Sequence, residues 1–502
     1  MGLALPRPRP RPLLLPAIAF VILVVALGVA PAGAAAPLSI AVRGNQFVDG
    51  AGQTVRLLGV NHPSFEYACA FGYAYSDGNT DAHDAAAIAS WHATAVRVPL
   101  NEDCWLGING LPSNSQNPSP PLTVAGYRQA VQDYVADLNA AGLYVILDLH
   151  WTAPETYVAD GQRPMPDGHS VDFWSSVASV FKNNPAVVFD AFNEPYSPAA
   201  VNDPGYPVDW GCWKAGGCFL PSSKDSDPPN NDILYPAVGM QQLVNTIRAT
   251  GATQPILLGG LSYANDLSGW LANKPADAQL AASFHNYQGQ QCSSQSCWDA
   301  TIAPVAAQVP VVTGEFDEDV CQPSTFDEDY MSWADRRGIG YLAWGWWVLS
   351  AQEISDAGCS AYYLITDSSG KPAAPNGTAL HDHLAALTTG GTVAPGLNRF
   401  TAKVKPGGSA VRFVLRSNQN STGVLSGKTV KSFSASAAKR RISLGSVRFK
   451  LTAGKSKTVV LKLSKAARKL LSRRHALKVQ ITITLTNSAK QRGVIRRTLT
   501  LR

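Results

Sequence analysis

The sequence predicts an α/β fold, a (β/α)8 TIM barrel over residues 37–388, followed by a small all-β, sandwich-like domain over 399–502. Three observations carry this. Apolar runs of strand length alternate eight times with helical stretches between Val55 and Thr388. Such alternation implies right-handed βαβ units and a parallel sheet, and eight is the count that closes a barrel. No glycine-rich phosphate turn follows the first run, which argues against an open doubly wound sheet. Beyond a linker at 389–398, which holds Gly390, Gly391, Pro395 and Gly396, short β-branched runs alternate with Gly, Ser and Asn turns.

At 502 residues the chain exceeds one ordinary domain. Residues 1–36 read as a secretory signal peptide. Arg7, Arg9 and Arg11 precede an apolar stretch from Leu13 to Ala30, and Ala32-Gly33-Ala34 or Ala34-Ala35-Ala36 offers a cleavage site. A membrane anchor is the rival reading, disfavoured by Pro16 and the alanine-rich end. The expectation is a secreted, extracellular protein with no membrane attachment after cleavage.

Ser39–Val55 turns at Asp49-Gly50 and reads as a small hairpin. Strand runs are expected at Val55–Asn61, Thr94–Leu100, Tyr144–Trp151, from Val187, at Pro255–Gly260, Leu280–Tyr287, from Val309, and at Gly340–Trp347. Helices are expected at Asp81–Trp91, Thr123–Ala141, His169–Lys182, Asp232–Thr250, Tyr263–Ala272, Cys297–Gln308, Thr325–Arg337 and Gly377–Thr388. Thr123 supplies a start signal and Gly142 a stop. A long irregular insertion, Tyr196–Asn230, follows the fourth strand. In the tail, Ala410–Leu415, Val459–Leu463 and Val479–Thr486 read as strands, and Ser464–Ser472 as a short helix.

The eight cysteines form an even set behind a signal peptide, which reads as disulfides. Cys212 with Cys218 and Cys292 with Cys297 make natural local loops, leaving Cys69 with Cys104 and Cys321 with Cys359. No His or Cys pair has zinc-ligand spacing, so no metal is expected. The net charge of +6 conceals a split: 26 Lys and Arg lie from Arg399 onward, with no acid after Asp382. Between Pro37 and Asn398, 13 basic residues face 36 acidic ones. Such asymmetry suggests two domains with different partners.

Catalytic residues of a barrel cluster at the carboxyl ends of its strands. VVFDAFNEP, Val187 to Pro195, ends a strand run in Asn193, Glu194 and a proline that cannot extend a ladder. VPVVTGEF, Val309 to Phe316, ends likewise in Gly314 and Glu315. Strand two carries Arg97, strand three Asp148 and His150, strand six His285 and Tyr287, and strand eight Trp344, Trp346 and Trp347. A carboxylate pair suits acetal cleavage, which needs one group beneath the anomeric carbon and an acid at the leaving oxygen. Asn193 can bond a sugar 2-hydroxyl, and Arg97 and Tyr287 can aim Glu315. An indole face can carry the C–H face of a sugar ring. Each residue also has a plain reading: Arg97 as an ion-pair residue of the barrel interior, His150 as a packed histidine, Trp347 as core, Asp148 and Asp190 as structural groups. Glu102 and Asp103 are weaker candidates for the cleft.

NEP on strand four, GE on strand seven, H-x-Y on strand six and an Arg on strand two, in that order, resemble glycoside hydrolase family 5, over about 38–387. The resemblance implies a retaining β-glycosidase with Glu194 as acid/base and Glu315 as nucleophile. It implies supporting roles for Arg97, His150, Asn193, His285 and Tyr287, and an aromatic floor at Trp344 or Trp346. The substrate expected is a polysaccharide or oligosaccharide, first of all a β-1,4-glucan. A β-mannanase, an exo-β-glycosidase, a glycolipid-cleaving enzyme and a non-catalytic sugar-binding protein are the alternatives. An esterase lacks its G-x-S-x-G elbow here. Two departures bear on the sugar: His62 stands after Gly59-Val60-Asn61, where an aromatic is expected, and the insertion after strand four is long. No cofactor and no nucleic acid partner are expected, and the chain is expected to act as a monomer. The tail has no Trp or Tyr after Tyr363 to stack on a sugar. Its charge instead suits an anionic cell-wall polymer.

Overall fold

The computed structural model describes residues 38–198, 205–224, 233–320, 325–358, 361–388, 397–404, 409–417, 420–434, 439–452, 455–487 and 492–501. Residues 1–36, read above as a signal peptide, and the pair Cys321 and Cys359 lie outside these residues.

Eight parallel strands close into a barrel. They are β1 (Leu58–Asn61), β2 (Ala95–Asn101), β3 (Tyr144–Trp151), β4 (Val187–Asp190), β5 (Ile256–Gly259), β6 (Leu280–Tyr287), β7 (Val311–Asp317) and β8 (Gly340–Ala343). The ring closes where Tyr341 of β8 registers with Leu58 of β1. Side chains alternate in and out along each strand. In β3, Val145, Leu147 and Leu149 join the core beneath the helices. Ile146 faces the interior with Ala95, Val188, Leu257, Ala281, Val312 and Leu342. Phe47 of the three-stranded sheet at the amino end, and Ile40 just before that sheet, belong to that interior cluster and close its floor. The next inward positions after Ala95, Ile146 and Val188 are Arg97, Asp148 and Asp190. A charged layer therefore lies directly on the apolar plug.

The helices start where the sequence supplies caps. Thr123 accepts from Gly126 N at the head of Val124–Ala140. Asp167 and Ser170 form a capping box for Gly168–Phe181, a device worth about 1 kcal/mol. Buried tryptophans fix the strand ends near the site. The indole N–H of Trp174 donates to Ala191 O at 2.8 Å, and that of Trp213 donates to Gly259 O at 2.8 Å. Disulfides join Cys69 to Cys104, Cys212 to Cys218 and Cys292 to Cys297.

Several expected boundaries move. The helix expected at Asp232–Thr250 begins only at Met240. Leu234–Val238 is instead a strand paired antiparallel with Gly216–Pro221, and the latter lies in the insertion that was expected to be irregular. Its burial alternates, and Pro236 suits an edge strand better than a helix interior. The helix expected at Tyr263–Ala272 shrinks to Trp270–Asn273, because Ser262, Tyr263 and Ala264 all have positive φ. The helix expected at Cys297–Gln308 is broken by a π-helical turn at Trp298–Ile302. The run to Trp347 leaves the sheet after Ala343.

The tail is a two-sheet β structure. Leu397–Val404, Ala410–Ser417 and Ser456–Lys462 make one sheet; Ser443–Leu451, Ser421–Thr429, Leu477–Asn487 and Arg492–Leu501 make the other. Its first strand begins at Leu397, inside the stretch read as linker. Phe413, Leu425, Leu461, Ile481 and Leu485 form its separate core, with Ala467 and Leu471 of the helix Lys465–Arg474.

Candidate active site

The site forms where β2, β3, β4, β6, β7 and β8 end. Arg97 is fully buried at its centre. Its Nε donates to Asp190 Oδ2 at 2.9 Å, and one Nη pairs with Asp148 Oδ1 at 3.0 Å. The remaining donors reach Asn193 Oδ1 at 2.8 Å, Glu315 Oε1 at 2.8 Å and Asn61 Oδ1 at 3.1 Å. The ion-pair reading and the site reading of Arg97 thus describe one residue. Asp148 and Asp190 are structural in a specific sense, because they hold the guanidinium that holds Glu315 and Asn193. Burial pushes Asp148 up to about 7 and Asp190 up to about 6, against the pull of Arg97.

Glu315 receives a second donor, Tyr287 Oη, on Oε2 at 2.8 Å. Burial, then the nearby Glu315 charge, raises the Tyr287 phenol well above its ordinary range, so it stays a donor. Glu194 lies across from Glu315. His285 Nδ1 stands 2.7 Å from Glu194 Oε1 and 3.7 Å from Glu315 Oε2. The glycine before Glu315 makes this approach possible. A Cβ at Gly314 would stand 2.7 Å from His285 Nε2 and 2.8 Å from Ser283 Oγ.

His150 places Nδ1 2.6 Å from Asp148 Oδ2 and stacks on Trp344, with ring centroids 5.5 Å apart. Burial lowers both His150 and His285 to about 4, so both are neutral near pH 7. Trp344 is half-buried. Trp346 is 2% exposed, its indole donating to Asp84 Oδ1 at 2.8 Å. Of the two candidates for an aromatic floor, Trp344 alone fits. Trp347, expected in the core, is instead half-exposed.

Glu102 and Asp103 do not line the cleft. Both are buried, with Glu102 accepting from Ser170 Oγ at 2.7 Å and Asp103 from Ala159 N at 2.9 Å. Two contributors escaped sequence reasoning. Gln162 donates to Glu194 Oε2 at 2.9 Å and also meets Asn193 Nδ2 at 3.3 Å. It arrives on the irregular loop after β3, where no periodicity marks it. Asn61 could have been found, since it ends a strand run as Asn193 does. Glu194, His285 and Glu315 have ligand atoms within 4.8 Å of one another, a spacing that could hold a cation. Arg97, Tyr287 and Gln162 already aim donors at these carboxylates, which suits hydrogen bonding rather than a metal.

The family model described as Cellulase (glycosyl hydrolase family 5) matches residues 48–350. The chain belongs to glycosyl hydrolase family 5. It is a glycosidase that hydrolyses O-glycosyl compounds. Among solved structures it is similar to a β-glucanase of Saccharophagus degradans in complex with cellotetraose. That likeness has a TM-score of 0.51 and 18% identity, over 70% of this chain and 94% of that one. The native form of the same β-glucanase gives 0.50 and 19%, over 70% and 94%. At this identity the likeness bears on the barrel fold alone. No curated protein matches the chain.

Proposed function

We propose that this family 5 enzyme is a secreted retaining β-glucanase that cleaves internal β-1,4 bonds by double displacement. One observation carries the reading: oxygens of Glu194 and Glu315 approach within 4.8 Å with His285 beside both. Retaining enzymes hold their carboxyls about 5–5.5 Å apart, whereas inverting ones leave about 6.5–9.5 Å for a water.

Glu315 attacks the anomeric carbon, with its two oxygens oriented by Arg97 and Tyr287. Glu194 gives a proton to the leaving oxygen, then takes one from the water that releases the sugar. Neutral His285 suits both states of Glu194. It donates Nδ1–H to Oε1 in either state, which leaves Oε2 to carry the proton. Asn193, held by Arg97, is placed for the 2-hydroxyl, and Trp344 supports the ring. The cellotetraose bound by the Saccharophagus β-glucanase favours a glucan among the possible sugars. Export is supported by the pattern of residues 1–36 and by three disulfides. The tail, with 26 basic residues and no acid, holds the enzyme on an anionic cell-wall polymer.

The test is hydrolysis of a panel of soluble β-glucans and β-mannans, with the product anomer followed by NMR at early times. Release of β-anomers from β-1,4-glucan is expected. Initial α-anomers, or no hydrolysis of any β-glucan, would overturn the reading.

A further inference from the structure

His285 serves Glu194 in one tautomer only. Its Nδ1 stands 2.7 Å from Glu194 Oε1, so Nδ1 must carry the ring proton when Glu194 is a carboxylate. Burial keeps the imidazole neutral, which leaves Nε2 with a lone pair in need of a donor. We propose that Ser283 is that donor: its hydroxyl bonds Nε2 of His285, directly or through one water, and so keeps the Nδ1 proton directed at Glu194. Ser283 is thus a positioning residue, acting on the reaction through His285. The inference rests on the acid/base role of Glu194 proposed above and deepens it.

The barrel brings the two atoms together. Ser283 and His285 are two residues apart on β6, so both face the interior. Ser283 stands two positions above Ala281 of the apolar plug, the place that Arg97, Asp148 and Asp190 take on their own strands. β7 bulges beside it. Phe284 registers with Thr313 and His285 with Glu315, which makes Gly314 the extra residue. Asn61 Nδ2 donates to Gly314 O at 2.8 Å and fixes the bulge. A Cβ on Gly314 would meet His285 Nε2 at 2.7 Å and Ser283 Oγ at 2.8 Å. Both atoms therefore converge on the space over one glycine. Both residues are fully buried, and among the described residues neither atom has another partner. Polar atoms at this depth are costly to leave unpaired, and a hydroxyl turns about χ1 to find its acceptor.

The other groups around the ring are committed elsewhere. Glu194, Glu315, Asp190, Arg97 and His150 face it. Arg97 engages Asp190, Asp148, Asn193, Glu315 and Asn61. His150 is held between Asp148 and Asn193. Ser283 is left as the donor at hand for Nε2.

The experiment reads the tautomer directly. Full-length protein with isotope-labelled histidine is followed by nitrogen NMR near pH 7, and His285→Gln identifies the His285 signal by its loss. The proton should sit on Nδ1. Ser283→Ala should shift the tautomer ratio about tenfold towards Nε2–H, and Ser283→Thr, which keeps a hydroxyl, should restore it. Kinetics supply a second readout. The bond from Nδ1–H favours the Glu194 carboxylate, so its weakening raises the Glu194 pKa. The alkaline limb of kcat/KM on a soluble β-glucan should move to higher pH in Ser283→Ala and return in Ser283→Thr. An Nε2–H tautomer in the unmodified protein would overturn the assignment. So would a fall in kcat at every pH in Ser283→Ala with tautomer and limb unmoved, since that is the mark of packing alone. The tautomer is read without substrate. A protein that keeps Nδ1–H through Ser283 yet hydrolyses no β-glucan would support this inference and sink the glucanase reading.

Discussion

Tyr287 donates its phenolic proton to Glu315 Oε2 at 2.8 Å. This bond and the one from Arg97 aim the carboxylate from two sides. Tyr287→Phe removes one of them and adds no charge. A hydrogen bond to a charged group contributes about 1.5–3 kcal/mol, so kcat/KM should fall roughly 10- to 100-fold. Steady-state kinetics on a soluble glucan check this. An unchanged kcat/KM would show that Tyr287 does not steer the nucleophile.

The two glutamates should respond differently to removal. Glu315→Ala should abolish turnover of every substrate. Glu194→Ala should cripple turnover of glucan, yet spare the first step on an aryl glycoside whose leaving group needs no proton. Azide should then rescue Glu194→Ala and give the β-glycosyl azide. Should azide fill the gap in Glu315→Ala, it would invert the centre and give the α-azide. NMR of the azide products decides, and the reverse pairing would exchange the two roles.

Which of these residues could be read from the chain is a question of periodicity. β3 and β6 were legible to the residue, because each is a long strand-like run; in β3 the polar positions Asp148 and His150 also fall on one parity, whereas in β6 Asn286 breaks the parity of Ser283 and His285. The same parity shows that Asp148 and Asp190 point inward, two positions above Ile146 and Val188. It does not show that one guanidinium takes them both, since Arg97 meets them only when the barrel closes. Gln162 was illegible because its loop has no period. Leu234–Val238 misled because five residues leading into an amphipathic helix share its apolar content, and only Pro236 marked the break.

Stability should depend on pH through the two buried histidines. The folded pKa values of His150 and His285, about 4, lie below the ordinary 6.5. The folded state thus binds fewer protons than the unfolded chain. Their contribution is complete above about pH 6.5 and is lost as pH falls through 4. Each shift corresponds to about 3 kcal/mol at most. Asp148 and Asp190, raised to about 7 and about 6, act in the opposite sense, since the folded state takes up their protons first and is favoured as pH falls. The histidine share is therefore read by NMR titration of the two imidazoles, which should stay neutral down to about pH 4; protonation near 6.5 would mean that they are not buried neutral.

The Cys69–Cys104 disulfide closes a loop of 35 residues between the segments after β1 and β2. A loop of that size contributes about 3–4 kcal/mol by restricting the unfolded chain. The double variant Cys69→Ser, Cys104→Ser should melt several degrees lower by calorimetry.

The tail should carry polymer binding that salt removes. Full-length protein should be retained on an immobilised anionic polymer at low salt, and a chain ending at Thr388 should pass through. Retention should vanish near 1 M salt, where charges are screened within about 3 Å. Retention that persisted there unchanged would rule out attraction by charge alone.

The charged layer on the barrel plug also acts as a gauge of strand register. Arg97 satisfies Asp148, Asp190 and Glu315 only if β2, β3, β4 and β7 are aligned as observed. A strand displaced by two residues keeps its inward and outward faces, so apolar packing alone would tolerate the error. The ionic layer would not, because an aspartate carried past the guanidinium is left buried and unpaired, at a cost of several kcal/mol. The group that aims Glu315 thereby discriminates between alternative closures of the ring. Substitutions at Arg97 should populate misaligned barrels as well as slow chemistry.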